Sequence, residues 1–248
     1  MIAALVILAG VAGWEALVRL GGVDELLLPA PTQVLAALWE DKGLLAPDLV
    51  TTTVEVLLGL AAAVAAGAGL AVLMHVRSSA RQALRPLVIG SQAVPVPVIA
   101  PLVVLVLGFG LAPKVLLVAL VCFFPVTINL YDGLRAGEPD ARRLLGALGA
   151  SRWQVLRLVE APAALPAAFT GLKVAAAVAV IGAVFAEWAG ADRGLGYTLL
   201  QANGQFETPR AFAATLLLFL LAIALYGTCA LLERVLVDWT PRTRPGGT

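Results

Sequence analysis

Six apolar stretches, at about residues 2–20, 54–74, 86–107, 112–131, 163–186 and 211–232, limit what this chain can become more than any other feature. A bilayer core of about 30 Å takes roughly 20 apolar residues to cross as helix. Each stretch has about that length, so the sequence predicts an all-α, polytopic membrane protein. It would have six transmembrane helices in one domain spanning 1–248, with both ends on one side. Composition points the same way: the chain is 60% hydrophobic and 13% charged, whereas soluble domains carry about 25% charged residues.

The few charges mark loops and set an orientation. One side holds Arg77, Arg81, Arg85, Arg135, Arg142, Arg143, Arg152, Arg157, Arg234, Arg242 and Arg244, with Lys173 inside a span. The other holds Arg19, Lys42, Lys114, Arg193 and Arg210. Twelve against five under the positive-inside rule puts both termini in the cytoplasm. Trp14, Trp39, Trp188 and Trp239 fall near span ends or in flanking loops, where indoles prefer to sit. A net charge of +1 supplies no field for nucleic acid. Cys122 and Cys229 sit singly in apolar runs and read as small core residues, so no disulfide or metal site is expected. His75 is the only histidine, which leaves no His-based triad or zinc motif, and no phosphate-binding Gly-Lys-Ser/Thr loop occurs. No catalytic residue and no cofactor are expected in the chain itself. The first apolar run has neither a basic start nor a small-residue cleavage site and reads as a retained helix.

Between the first two spans, residues 21–51 read as an amphipathic segment on the outer surface. Pro29 and Pro31 stop the chain, and Val34, Leu35, Leu38 and Trp39 then recur at helical spacing. Gly59, Ala63 and Gly67 form a ridge of small residues that lets a second helix approach closely. Pro95, Pro97 and Pro101 predict a broken third span, whose unpaired carbonyls must turn to protein or a cavity.

The longest polar stretch, from Asp132 to Pro162, has helical order. Pro139 and Asp140 open a short helix, Leu144, Leu145 and Leu148 give it an apolar face, and Gly149 ends it as a left-handed residue. Ser151 with Gln154 forms a capping box for a second helix, which Val155, Leu156 and Val159 line on one side and Pro162 ends. Two short helices with arginines outward make either a knob for another protein's groove or a hairpin lying on lipid.

Gly149, Val159 and Pro162 resemble the coupling segment of ABC importer permeases. That segment runs Glu-Ala-Ala, three residues, Gly, nine residues, Ile, one residue, Leu-Pro. Arg143, Leu144 and Leu145 replace its Glu-Ala-Ala, and Ala161 replaces its Leu. Ala186-Glu187-Trp188 and Gly194-Leu195-Gly196-Tyr197, with Leu28-Pro29-Ala30-Pro31 and Leu107-Gly108-Phe109-Gly110, resemble the nitrate, sulfonate and taurine branch. Glu160-Ala161-Pro162-Ala163-Ala164-Leu165-Pro166, Val121-Cys122-Phe123-Phe124-Pro125 and Val180-Ile181-Gly182-Ala183-Val184 look most like its permeases for thiamine-precursor pyrimidines.

The resemblance implies a type I ABC importer permease fold in the inner membrane, with a core at about 52–240. Coupling helices would lie at 138–161 and a periplasmic segment at 21–51. Its implied partners are an ATP-binding subunit, a periplasmic or lipid-anchored substrate-binding protein, a second copy of the chain and membrane lipid, and no nucleic acid. Coupling would fall to Arg143, Leu145, Leu148, Gly149, Ala150, Ser151, Arg152 and Pro162. Alternative cargoes are aliphatic sulfonate or taurine, nitrate, or a riboflavin-like molecule.

Polar groups at membrane depth are expensive and face a bundle interior or water. Gln92, Asn129, Thr170, Lys173 and Glu187, with Pro95 and Pro97, are therefore the candidates for the pathway and its gate. Glu187 is expected to hold an outer gate, seat the binding protein or anchor the span at the interface. Its neighbours would be Arg193, Arg210 and Lys114. A stand-alone secondary transporter, the rival reading, would need paired ionisable groups at depth, and neither Lys173 nor Glu187 has an obvious partner in the sequence.

Overall fold

The computed structural model describes residues 2–24 and 26–237, so Trp239, Arg242 and Arg244 lie outside the described residues. The described residues are almost entirely helical: α1 (Ile2–Leu20), α2 (Pro31–Glu40), α3 (Lys42–Val76), α4 (Ser78–Gly90), α5 (Val96–Leu107) and α6 (Leu111–Ala136) come first. There follow α7 (Pro139–Ala147), α8 (Arg152–Val155), α9 (Ala161–Gly190), α10 (Leu195–Gly204) and α11 (Thr208–Leu236).

Among the described residues, α3, α6, α11 and the continuous run Arg152–Gly190 are long and apolar enough to cross a membrane. The expected third span is not one straight crossing. It is α4 and α5, bent by 103° about a 3-10 turn at Ser91–Ala93. Pro95 lacks a backbone donor, and Val94 before it is held extended with ψ 115, which is why the break falls there, whereas Pro97 sits in the first turn of α5, where no donor is needed. The expected first span forms a helix, α1, 19 residues long.

Two expected boundaries move. Lys42 to Thr51, expected in the outer segment, form the start of α3, so only α2 remains of the amphipathic piece. The expected apolar face divides: Val34 is buried, together with Ala37, while Leu35 and Trp39 are exposed. Pro162 does not end a helix either: α8 runs on through a π-turn at Leu156–Glu160 into α9. A wider turn relieves the clash that a helical proline makes with the carbonyl four residues back.

The core lies where α3, α6 and α9 meet, with α11 against α9. The small-residue ridge packs as its spacing predicts. A Cβ on Gly59 would stand 2.4 Å from Val118 Cβ, and one on Gly67 would stand 2.9 Å from Thr127 Oγ1. Lipid gives helices no hydrophobic reason to associate, so this close backbone approach supplies the van der Waals contact that holds the bundle. Cys122 and Cys229 are buried and unbridged, as expected.

Candidate functional sites at the two ends of the bundle

At one end, α7 closes as the sequence predicts. Gly149 has φ +78, its N–H donates to Gly146 O at 3.0 Å, and the Ala150 N–H donates to Leu145 O at 3.0 Å. These two bonds satisfy carbonyls that the helix end leaves open. The capping box is also formed: Ser151 N donates to Gln154 Oε1 at 2.7 Å, and Gln154 N to Ser151 Oγ at 3.3 Å.

The faces of this hairpin differ from expectation. Leu144, Leu148 and Trp153 are 62, 74 and 66% exposed, so the apolar face looks away from the bundle. Arg143 is outward, paired with Asp140 at 3.2 Å. Arg142 and Arg152 point inward. Arg142 donates to the Leu134 and Arg135 carbonyls at the end of α6, and Arg152 to Val76 O at the end of α3. Cations belong at these helix ends, where the last carbonyls gather negative charge.

The hairpin is further tied down by a residue that sequence reasoning missed. Glu160, buried at the foot of α9, has His75 Nε2 2.7 Å from one carboxylate oxygen and Arg142 Nε 3.0 Å from the other. One carboxylate thus joins α3, α7 and α9. A cleft of about 430 Å³ lies beside it, bordered by His75, Gly146, Arg152 and Trp153.

At the opposite end the two signature strings prove to be one site. The N-terminus of α10 is buried, and its first four N–H groups have no helical partners. Gly194 N donates to Asp48 Oδ1 at 3.1 Å and Leu195 N to Thr52 Oγ1 at 2.9 Å. Gly196 N and Tyr197 N donate to Glu187 Oε2 at 2.6 and 3.0 Å. Thr52 Oγ1 donates in turn to Glu187 Oε1 at 2.7 Å. Two carboxylates at the positive end of a helix dipole are well placed electrostatically.

This cap explains both glycines of Gly-Leu-Gly-Tyr. Gly194 has φ +123, and a Cβ there would lie 2.3 Å from the Glu187 carboxylate; one on Gly196 would lie 2.9 Å from Val184 Cα. Glu187 is 1% exposed, so it cannot itself be a contact for a docking protein, and its partners are not the cations expected. Arg210 pairs with Asp41 and Glu207 instead, and Lys114 Nζ lies 2.6 Å from Glu55 Oε1, one turn from Thr52 on α3.

The pathway candidates are spread along the molecule. Gln92, Pro95 and Pro97 are exposed around the α4–α5 break. Asn129 and Thr170 donate to Pro125 O and Pro166 O of their own helices. Gly182 packs on Val118 and Val121 of α6. Lys173 does have a partner: its Nζ lies 2.7 Å from Glu233 Oε2 on α11. Among the described residues no hydrogen bond or ion pair joins any of these seven candidates to another. Because Lys173 and Lys114 are both paired, the lack of paired ionisable groups does not separate a permease from a secondary transporter.

Comparison with known proteins makes that separation. Residues 56–237 match the family described as binding-protein-dependent transport system inner membrane component. The chain is 35% identical over 227 residues to the formylaminopyrimidine transport permease protein ThiX of Halalkalibacterium halodurans, covering 91% of this chain and 90% of that one. It is 39% identical over 229 residues to the riboflavin transport system permease protein RibX of Chloroflexus aurantiacus, covering 91% and 85%. It is 32% identical over 234 residues to the taurine transport system permease protein TauC of Escherichia coli, again covering 91% and 85%. An inward-facing structure of the MetNI methionine ABC transporter superposes with a TM-score of 0.63 at 17% identity, covering 84% of this chain and 98% of that one.

Proposed function

This chain belongs to the binding-protein-dependent transport system inner membrane components, as the permease subunit of an ABC importer and not an enzyme, and from that premise we propose that its cargo is a thiamine-precursor pyrimidine. The observation that carries this reading is the neutralisation of the lysines within the apolar spans. Lys173 is held by Glu233 and Lys114 by Glu55, so neither is an open cation for a sulfonate or nitrate. A flat, uncharged, polar-edged ring asks for hydrogen-bonding groups beside small residues, and the similarity to ThiX supports that class. RibX supports a second flat, polar-edged cargo, riboflavin. Uptake by the complete transporter is the test: formylaminopyrimidine should accumulate with ATP and taurine should not, and taurine uptake would overturn the reading.

The transport cycle follows from the two ends. The termini and the α7–α8 hairpin face the cytoplasm, two copies of the chain enclose a pathway, and a periplasmic or lipid-anchored binding protein delivers cargo at the α10 end. The exposed Leu148 and Trp153, with Arg143, Leu145, Ala150 and Ser151, form the knob that seats in a separate ATP-binding subunit. The Gly149 turn sets the angle of the knob. Arg152 and Glu160, with Pro162 beyond the π-turn, carry its displacement into α3, α6 and α9. A ligand-driven shift of this kind requires differential contacts in the two states, and the knob supplies them through the ATPase.

Thr170 and Ala177 lie on an exposed stripe of α9, and Val96 stands at the foot of α5 beyond Gln92 and Pro95. Single cysteines at these three positions, in a background lacking Cys122 and Cys229, are expected to react with a membrane-impermeant thiol reagent to an extent that changes with ATP. Inertness at all three, with loop controls labelled, would move the pathway to other helices.

A further inference from the structure

α1 leans on α2 and leaves a groove of about 450 Å³ between itself, α2 and α11. Val11, Val34, Leu35, Phe212 and Leu216 make its walls apolar. The one polar feature inside is the indole N–H of Trp14, which is buried without a hydrogen-bond partner. The Thr215 hydroxyl on the facing helix donates to Ala211 O at 2.8 Å and makes no bond to the indole. An orphaned donor in apolar surroundings costs about 1–3 kcal/mol, so the groove asks for an acceptor carried on an apolar body.

We propose that this groove is a binding site for one glycerophospholipid, whose acyl chain lies along Val11 and Leu216 and whose ester carbonyl accepts from Trp14 Nε1. Three features of the structure fit that occupant. The groove is continuous with lipid-facing surface: Leu5, Val6, Ile7 and Leu8 of α1 are 62–66% exposed below it, as is Phe219 at 62% on α11. Trp14 lies six residues before the end of α1, or about 9 Å along a helix rising 1.5 Å per residue, which is the depth of ester groups beneath headgroups and the level tryptophans favour. At the rim above it, the Arg19 guanidinium bonds Glu15 and Thr32 and is 60% exposed, a cation at phosphate height.

The test needs neither ATP nor a transported molecule. The full chain is purified in mild detergent, titrated with palmitoyl-oleoyl-phosphatidylglycerol and weighed intact by native mass spectrometry. Wild type should hold one phospholipid per chain through washing. Leu216→Trp, which fills the groove, should abolish retention. Trp14→Phe, which keeps the packing and removes only the donor, should weaken it by about fivefold, the effect of one hydrogen bond. No retained lipid in wild type, or equal retention in both variants, overturns the proposal. So does a chain–chain complex that Leu216→Trp disrupts while lipid binding is unchanged, since the groove would then belong to a second copy.

Discussion

Replacing Gly149 with valine is expected to lower ATP-driven uptake by about tenfold while the complex with the ATPase still assembles. The cause is backbone alone. No atom lies within 4 Å of where a Cβ would sit on Gly149, so size is not resisted, but its φ of +78 is a conformation L-residues avoid. A left-handed L-residue costs about 1–2 kcal/mol, and a β-branched one lies at the unfavourable end. That is enough to shift a short, exposed hairpin toward other turn geometries, which point Leu148 and Trp153 the wrong way. Asn tolerates left-handed backbone, so Gly149→Asn is expected to keep most of the uptake. Unchanged uptake in the valine variant, or an Asn variant as poor as it, would show that the turn does not set the knob.

The largest stability loss is expected from Lys114→Met. Lys114 and Glu55 are 6 and 1% exposed, and Glu55 Oε2 has no hydrogen-bond partner. Removing the ammonium leaves a carboxylate buried without compensation, which costs about 3–5 kcal/mol when one partner of a buried pair is deleted. The double variant Glu55→Gln, Lys114→Met removes both charges and is expected to regain most of the lost thermal midpoint, measured on the purified chain. A single variant as stable as wild type would mean that Glu55 finds another partner or takes up a proton at no cost. A double variant no better than the single would assign the loss to packing instead.

Much of the fold was legible because the bilayer reads length and polarity directly. Four of the six expected spans reappear as single helices long and apolar enough to cross, and the hairpin could be drawn bond by bond because a left-handed glycine and a Ser-x-x-Gln cap are local devices. What escaped were contacts between residues far apart in the chain. Glu160 sits in a string that matched relatives, yet its bonds to His75 and Arg142 come from helices 85 and 18 positions away. Asp48, Thr52 and Glu187 cap α10 from two helices, and nothing local marks them as one site. One signal was available: Glu55 stands inside an apolar run, and an ionisable group there implies a partner. Searching for that partner would have reached Lys114 before Arg193 or Arg210 were considered. The third span misled because prolines announce a break but not its angle.

The run Arg152–Gly190 is continuous over 39 residues, with its π-turn at Leu156–Glu160 near the foot, about 58 Å at 1.5 Å per residue. Its foot carries Glu160 and the knob, and its tip carries Glu187 and the cap of α10. It is therefore a lever: pivoted at one end, a tilt of about 5° moves the other by about 5 Å, close to one helical turn. If the knob moves with the ATPase, the stiffness of this rod would pass that movement to the α10 end without a relay of side chains. Sensitivity along this rod should follow bending rather than chemistry, so a proline in place of Val178 would silence transport where a leucine there would pass unnoticed.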